Sequence, residues 1–256
     1  MRRSKIKRKY LSIIKSSNNN EHNNKIDIIE KKMMKSLITF TLIMLMLLWG
    51  IIPTIGFYIS GIDTNTLSDT TKYLINFIND ILFLSILIFI YFKTLKHDFR
   101  NYFNKEFKNN IKMSISYWLI GLGVMVVSNF IIAILTNGQL AENEEAVRSM
   151  INLAPLYMAF QIVIYAPLTE ELIFRKSIRD IITNRYLFAI ISGVIFGGLH
   201  VISSITDVIS LLYLIPYCSL GIAFGFLYAK SDNIFSTIMV HAIHNSLALI
   251  MYFMAF

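Results

Sequence analysis

Apolar residues fall along this chain in long blocks separated by short polar ones. Seven apolar runs stand out, at about 37–59, 73–92, 113–136, 152–177, 186–205, 208–229 and 234–256. Each reaches the roughly 20 residues that a helix needs to cross a bilayer core. The pattern predicts an all-α, multi-pass transmembrane helical bundle of about 7 spans. Residues 1–36, which precede the first run, read as a basic, Asn-rich tail. Its low-complexity patch at 16–25 has too little apolar surface to fold alone, whereas 26–35 could be helical. The predicted organisation is therefore a tail (1–36) and a transmembrane domain (37–256).

Charge sets the expected orientation. The net charge is +8, and it sits entirely in the tail, where eleven Lys and Arg face three Asp and Glu. Beyond the tail, the connections at 93–112 and 178–185 are basic, and 137–151 is acidic. Basic flanks mark the cytoplasmic side, so the N-terminus is expected inside and the C-terminus outside. Segment 93–112 alternates Lys with Phe, Tyr and Leu. It reads either as an amphipathic surface helix or as a plain basic loop. Composition agrees with a membrane protein: 55% of residues are hydrophobic and 16% charged, against about 25% charged in ordinary soluble domains. The one cysteine, Cys218, excludes an intrachain disulfide and a cysteine metal site. No signal-peptide core occurs in residues 1–36. A nucleic-acid partner is not expected, because the basic run is better explained by topology.

Ionisable groups at membrane depth cost at least about 2.5–3.5 kcal/mol and are functional candidates by default. Four spans carry little beyond isolated Asn, Ser, Trp or Asp80 and are set aside. Three spans carry chemistry. The fourth holds Glu170 and Glu171, with Arg175 four residues after Glu171 on the same helix face. The fifth holds Phe196 and His200, with Gly193 and Gly197 as a small-xxx-small pair. The seventh holds His241 and Asn245 on one face, and His244 off it. Plainer readings exist: helix-end carboxylates for the two glutamates, a hydrogen-bonded core histidine for His200, and packing for His244 and Cys218. One shared, wet cavity holding Glu170, His200, His241 and Asn245 satisfies all these polar groups together. A carboxylate and histidines around water are what peptide hydrolysis requires.

Taken in order, Glu170-Glu171-x-x-x-Arg175, Phe196-x-x-x-His200 and His241-x-x-x-Asn245 resemble the motifs of the CAAX-protease and bacteriocin-processing family of intramembrane endopeptidases, related to type II CAAX prenyl endopeptidases. The resemblance covers about 155–250. It implies that Glu170 activates the hydrolytic water and that His200 binds this water and assists proton transfer. His241 and Asn245 would stabilise the oxyanion, and Glu171, Arg175 and Phe196 would support the site. Expected substrates are membrane-associated peptides or proteins: pheromone precursors, bacteriocin leaders or CAAX-like sequences. No cofactor is favoured, because Asn245 is a poor zinc ligand and no HExxH helix occurs. A zinc-dependent version would use Glu170, His200 and His241. The remaining alternatives are a non-catalytic scaffold, immunity or regulatory protein of the same fold, and a proton-relay transporter. Expected partners are a peptide or protein substrate and the lipid bilayer. The expected location is the cell membrane, and the Ile, Asn and Lys richness points to a bacterium.

Overall fold

A computed structural model describes residues 27–139, 141–202, 205 and 208–255. The Asn-rich patch lies outside the described residues. The helices are α1 (Asp27–Trp49), α2 (Ile52–Ser60), α3 (Asp69–Tyr102), α4 (Phe107–Leu135), α5 (Glu142–Leu153), α6 (Pro155–Ser177), α7 (Arg185–Val201), α8 (Leu214–Ser231) and α9 (Ile234–Ala255). No strand occurs among the described residues. The protein is an all-α, multi-pass helical bundle.

The boundaries depart from the apolar runs in four places, each for a physical reason. The first run is split. α1 begins in the polar stretch at Asp27, and the chain breaks after Trp49 because Pro53, in the first turn of α2, suits a helix start but not a helix interior. The second run continues as helix through Tyr102, so segment 93–112 is neither one surface helix nor one loop. It is the end of α3, a turn, and the start of α4. The acidic connection 137–151 contains α5, whose first turn holds Glu142, Glu144 and Glu145. Carboxylates there complement the positive end of the helix dipole. The fifth predicted span is helical over 17 residues, Arg185–Val201, whereas six described helices are long and apolar enough to cross a membrane. Asn184 fixes the start of α7, its Oδ1 accepting from the N–H groups of Tyr186 and Leu187.

Two features hold neighbouring helices in register, α7 against α8 and α3 against α9. The first is a seam of small residues. A Cβ on Gly193 would overlap the backbone of Ile222, one on Gly225 would stand 2.7 Å from Cα of Ala189, and one on Gly197 2.7 Å from the backbone nitrogen of Cys218. The α7 and α8 backbones therefore touch directly, as small residues allow in lipid-embedded helices. The second is a clasp between α3 and α9. Asp98 Oδ2 accepts from the Ile234 N–H at 3.0 Å, and Asn233 Nδ2 donates to the Asp98 carbonyl at 2.8 Å. The clasp occupies N–H groups that a helix start otherwise leaves open, and it sets the rise of α9, which carries His241. Phe83, Leu87, Leu172, Phe174, Phe188 and Ile238 form the core between these helices.

Gly225→Ala is expected to lower thermal stability in detergent by about 1–3 kcal/mol through overpacking. Gly123→Ala, where an added Cβ meets nothing within 4 Å, should not destabilise. Helix-signal melting of the two variants side by side checks this, and equal melting points would contradict a tight seam.

Candidate active site

The site begins with a helix that cannot stay regular. Within α6, residues Gln161–Tyr165 and Glu171–Ser177 wind as π-helical turns on either side of an α-helical stretch. The Ala166 N–H reaches back to the Gln161 carbonyl, and Pro167 has no N–H to give. The Ile162 carbonyl is thus left without a backbone donor. Asn245 on α9 supplies one, its Nδ2 donating at 2.8 Å. Turns of this kind inside α-helices concentrate at functional sites.

The second π turn starts at Glu171, directly after Glu170. The Glu171 and Arg175 side chains are fully buried, with Arg175 Nε 3.1 Å from Glu171 Oε2. The other Glu171 oxygen, Oε1, accepts from His241 Nδ1 at 2.9 Å. The opposite ring nitrogen, Nε2, lies 3.8 Å from Glu170 Oε2. Adjacent carboxylates therefore flank one imidazole, Glu171 hydrogen-bonded to Nδ1 and Glu170 facing Nε2 beyond hydrogen-bond distance. Because Glu171 only accepts, Nδ1 carries a proton, and Nε2 is the nitrogen turned to Glu170. Glu170 keeps 20% of its side chain exposed, while its neighbour has none.

Arg175 is held from the α7 side. Its Nη1 donates to Ser192 Oγ at 2.7 Å, and Ser192 Oγ donates to the Phe174 carbonyl at 2.8 Å. The guanidinium also lies 5.1 Å above the Phe196 ring, a cation–π contact. The same ring has its centroid 6.0 Å from that of His241 and 4.5 Å from that of His200. Phe196 is the hub through which α7 meets the α6–α9 group. His200 Nδ1 donates to the Phe196 carbonyl at 2.8 Å, and its ring stacks on Tyr217. A carbonyl can only accept, so Nε2 of a neutral His200 keeps its lone pair.

The structure thus brings Glu170, Glu171, Arg175, Phe196 and His241 into one contact group. His200 joins it through Phe196, and Asn245 turns its amide to the α6 backbone. His244 lies apart, accepting from Trp118 Nε1 at 3.3 Å. Among the described residues, no three His, Cys, Asp or Glu side chains converge as a metal-binding group. Glu170, His200 and His241 do not form one.

A cavity of about 370 Å³ opens beside Glu170, between α6 and the pair α1 and α3. Asp80, which sequence reasoning set aside, lines it. Asp80 Oδ2 accepts from the Tyr157 hydroxyl at 2.9 Å and from the Gln161 amide. The signal was present: an ionisable residue in the middle of an apolar run. Its partners, 77 and 81 residues away in sequence, were not visible.

Residues 152–247 match the family model for type II CAAX prenyl endopeptidase Rce1-like proteins. The match covers one segment of the chain, less than half of its length. It contains every residue of the contact group. The chain also resembles two curated proteins. A Bacillus subtilis (strain 168) protein named "Putative membrane peptidase YdiL" is 30% identical over 153 residues, which is 59% of this chain and 53% of that protein. "UPF0177 protein YxdF" of Lactococcus lactis subsp. lactis (strain IL1403) is 28% identical over 132 residues, 49% of this chain and 71% of that one. The matched stretch thus spans about half the length of the Bacillus relative. No solved structure matches.

Arg175→Leu leaves Glu171 as a buried, uncompensated charge, and a stability loss of about 3–5 kcal/mol is expected. The double variant Glu171→Leu/Arg175→Leu should melt higher than Arg175→Leu alone. Double-mutant-cycle melting in detergent measures this. Asn245→Asp exchanges the donor facing the Ile162 carbonyl for an acceptor. It should destabilise more than Asn245→Ala, itself expected to cost about 1–3 kcal/mol, and comparing their melting points checks the order.

Proposed function

We propose that this chain is an intramembrane endopeptidase of glutamate type, acting on membrane-associated peptides in a bacterial cell membrane with its N-terminus in the cytoplasm. The observation that carries this reading is the placing of Glu170 and Glu171 at opposite nitrogens of His241, Glu171 hydrogen-bonded to it and Glu170 alone of the two lining a cavity. The Rce1-like match and the relative named as a membrane peptidase support the same reaction class.

In this reading Glu170 takes a proton from water, and the water oxygen attacks the scissile carbonyl carbon. The proton then passes to the leaving nitrogen as the C–N bond breaks. General base catalysis of this kind contributes about 10²–10⁴-fold. Glu171, paired with Arg175, orients His241 through its Nδ1–H. His200 uses its free Nε2 to hold the water. The remaining N–H of Asn245 stabilises the oxyanion, and His241 joins it as an imidazolium, whose Nε2–H donates while Nδ1–H stays on Glu171. Of these groups, Glu170 alone is among the residues that line the cavity.

Glu170→Gln should lower kcat by about 10²–10⁴-fold while leaving the melting point near that of the wild type. The assay is mass spectrometry of a membrane-peptide pool incubated with detergent-purified wild type or variant, with and without chelator. Cleavage retained in chelator and lost in the variant is the expected result. Loss in chelator would point to a metal requirement, and equal cleavage by both proteins would remove Glu170 from its role.

A further inference from the structure

The cavity beside Glu170 has an electrostatic character that the hydrolytic reading does not use. Two carboxylates line it, Asp80 from α3 and Glu170 from α6, and no Lys, Arg or His is among its lining residues. Three aromatic side chains, Trp49, Tyr157 and Tyr165, share the wall. The volume falls in the lower part of the range of about 300–1,000 Å³ typical of small-molecule pockets.

Asp80 is held as a binding group would be. The residue is 7% exposed. Tyr157 and Gln161 both direct their hydrogens to its Oδ2, and the Gln161 amide also donates to the Tyr157 hydroxyl at 2.8 Å. Its Oδ1 accepts no hydrogen bond from the described residues. One oxygen is fixed and the other is left for an occupant. The wall behind it is closed by a reciprocal pair: Trp49 Nε1 donates to the Asn79 carbonyl at 2.9 Å, and Asn79 Nδ2 donates to the Trp49 carbonyl at 3.3 Å. A carboxylate at membrane depth is normally answered by a cation. The described residues provide Asp80 with donors but no positive charge.

We propose that this cavity is a specificity subsite that takes a lysine or arginine side chain of the peptide substrate, with Asp80 as its counter-charge and the aromatic wall around the cationic head. The proposal rests on the endopeptidase reading for the identity of the occupant as a peptide. Ion pairing and cation–π contact are the two attractions on offer, and both select ammonium or guanidinium over a neutral group. Because Glu170 lines the same cavity, a bound basic side chain lies close to the bond being cut.

The test is binding, read apart from cleavage. Two fluorescein-labelled hexapeptides of Ala and Leu, end-blocked and differing only in a central Lys or Gln, are titrated with the full chain in neutral detergent. Fluorescence anisotropy is expected to give about tenfold tighter binding of the Lys peptide. Asp80→Asn should erase that preference. Equal binding of the two peptides by the wild-type protein, including no binding of either, overturns the proposal without any variant having to fold. A preference unchanged in a folded Asp80→Asn variant overturns it too. A third peptide, with Gln and a free N-terminal amine, separates the α-ammonium from the side chain as the cation recognised, and tight binding of that peptide alone would overturn the side-chain assignment. Cleavage of the same peptides is followed by mass spectrometry. A Lys preference without cleavage would sink the endopeptidase reading and keep the cation site. Cleavage indifferent to Lys, with equal binding, would do the reverse.

Discussion

Everything in the active-site region is arranged around one buried ion pair. Glu171 and Arg175 have no exposed side-chain surface, and an isolated charge in such a place would be strongly destabilising. The pair is tolerable only because three helices converge on it. α6 carries both charges, α7 supplies Ser192 and the Phe196 face, and α9 supplies His241. Solvating a charge with protein groups in this way fixes rotamers and helix positions together. His241 is consequently oriented by a group that cannot move without exposing a charge to an apolar interior.

The second constraint is the irregular winding of α6. A proline removes one donor, a π turn redirects another, and the orphaned carbonyl of Ile162 is met by a side chain from α9. Helix breaks at membrane depth persist where neighbours satisfy the freed backbone groups. Here the satisfying group lies one turn beyond His241 on the same helix. The ion pair and the helix break therefore tie α6 to α9 at two successive levels.

Much of this was legible in the sequence, and the legible part has a common cause. Charged and polar residues in apolar runs are conspicuous, so Glu170, Glu171, Arg175, His200, His241 and Asn245 could be read directly. The spacing of Glu171 and Arg175 gave their pairing, because four residues is one helical turn. The Gly193 and Gly197 pair marked the side of α7 that approaches α8. What could not be read depends on long-range contact or local winding. Asp80 looks isolated in its own run, and only the fold brings Tyr157 and Gln161 to it. The π turns leave no periodic trace, since five- and seven-residue segments are too short to shift an apolar pattern visibly. The extension of α3 through its basic end was also hidden, because hydropathy marks where a helix is apolar and not where it stops.

The α7–α8 seam divides the bundle mechanically. Where backbones touch through glycines, helices cannot slide or part without opening voids along their whole length. The walls on the far side of Glu170 are joined differently, by the Trp49–Asn79 exchange and by the Thr39 hydroxyl of α1, which donates to the Ser177 carbonyl. Contacts of that kind can be broken and remade one at a time. The bundle thus has one flank locked backbone to backbone and one held by separate side-chain contacts.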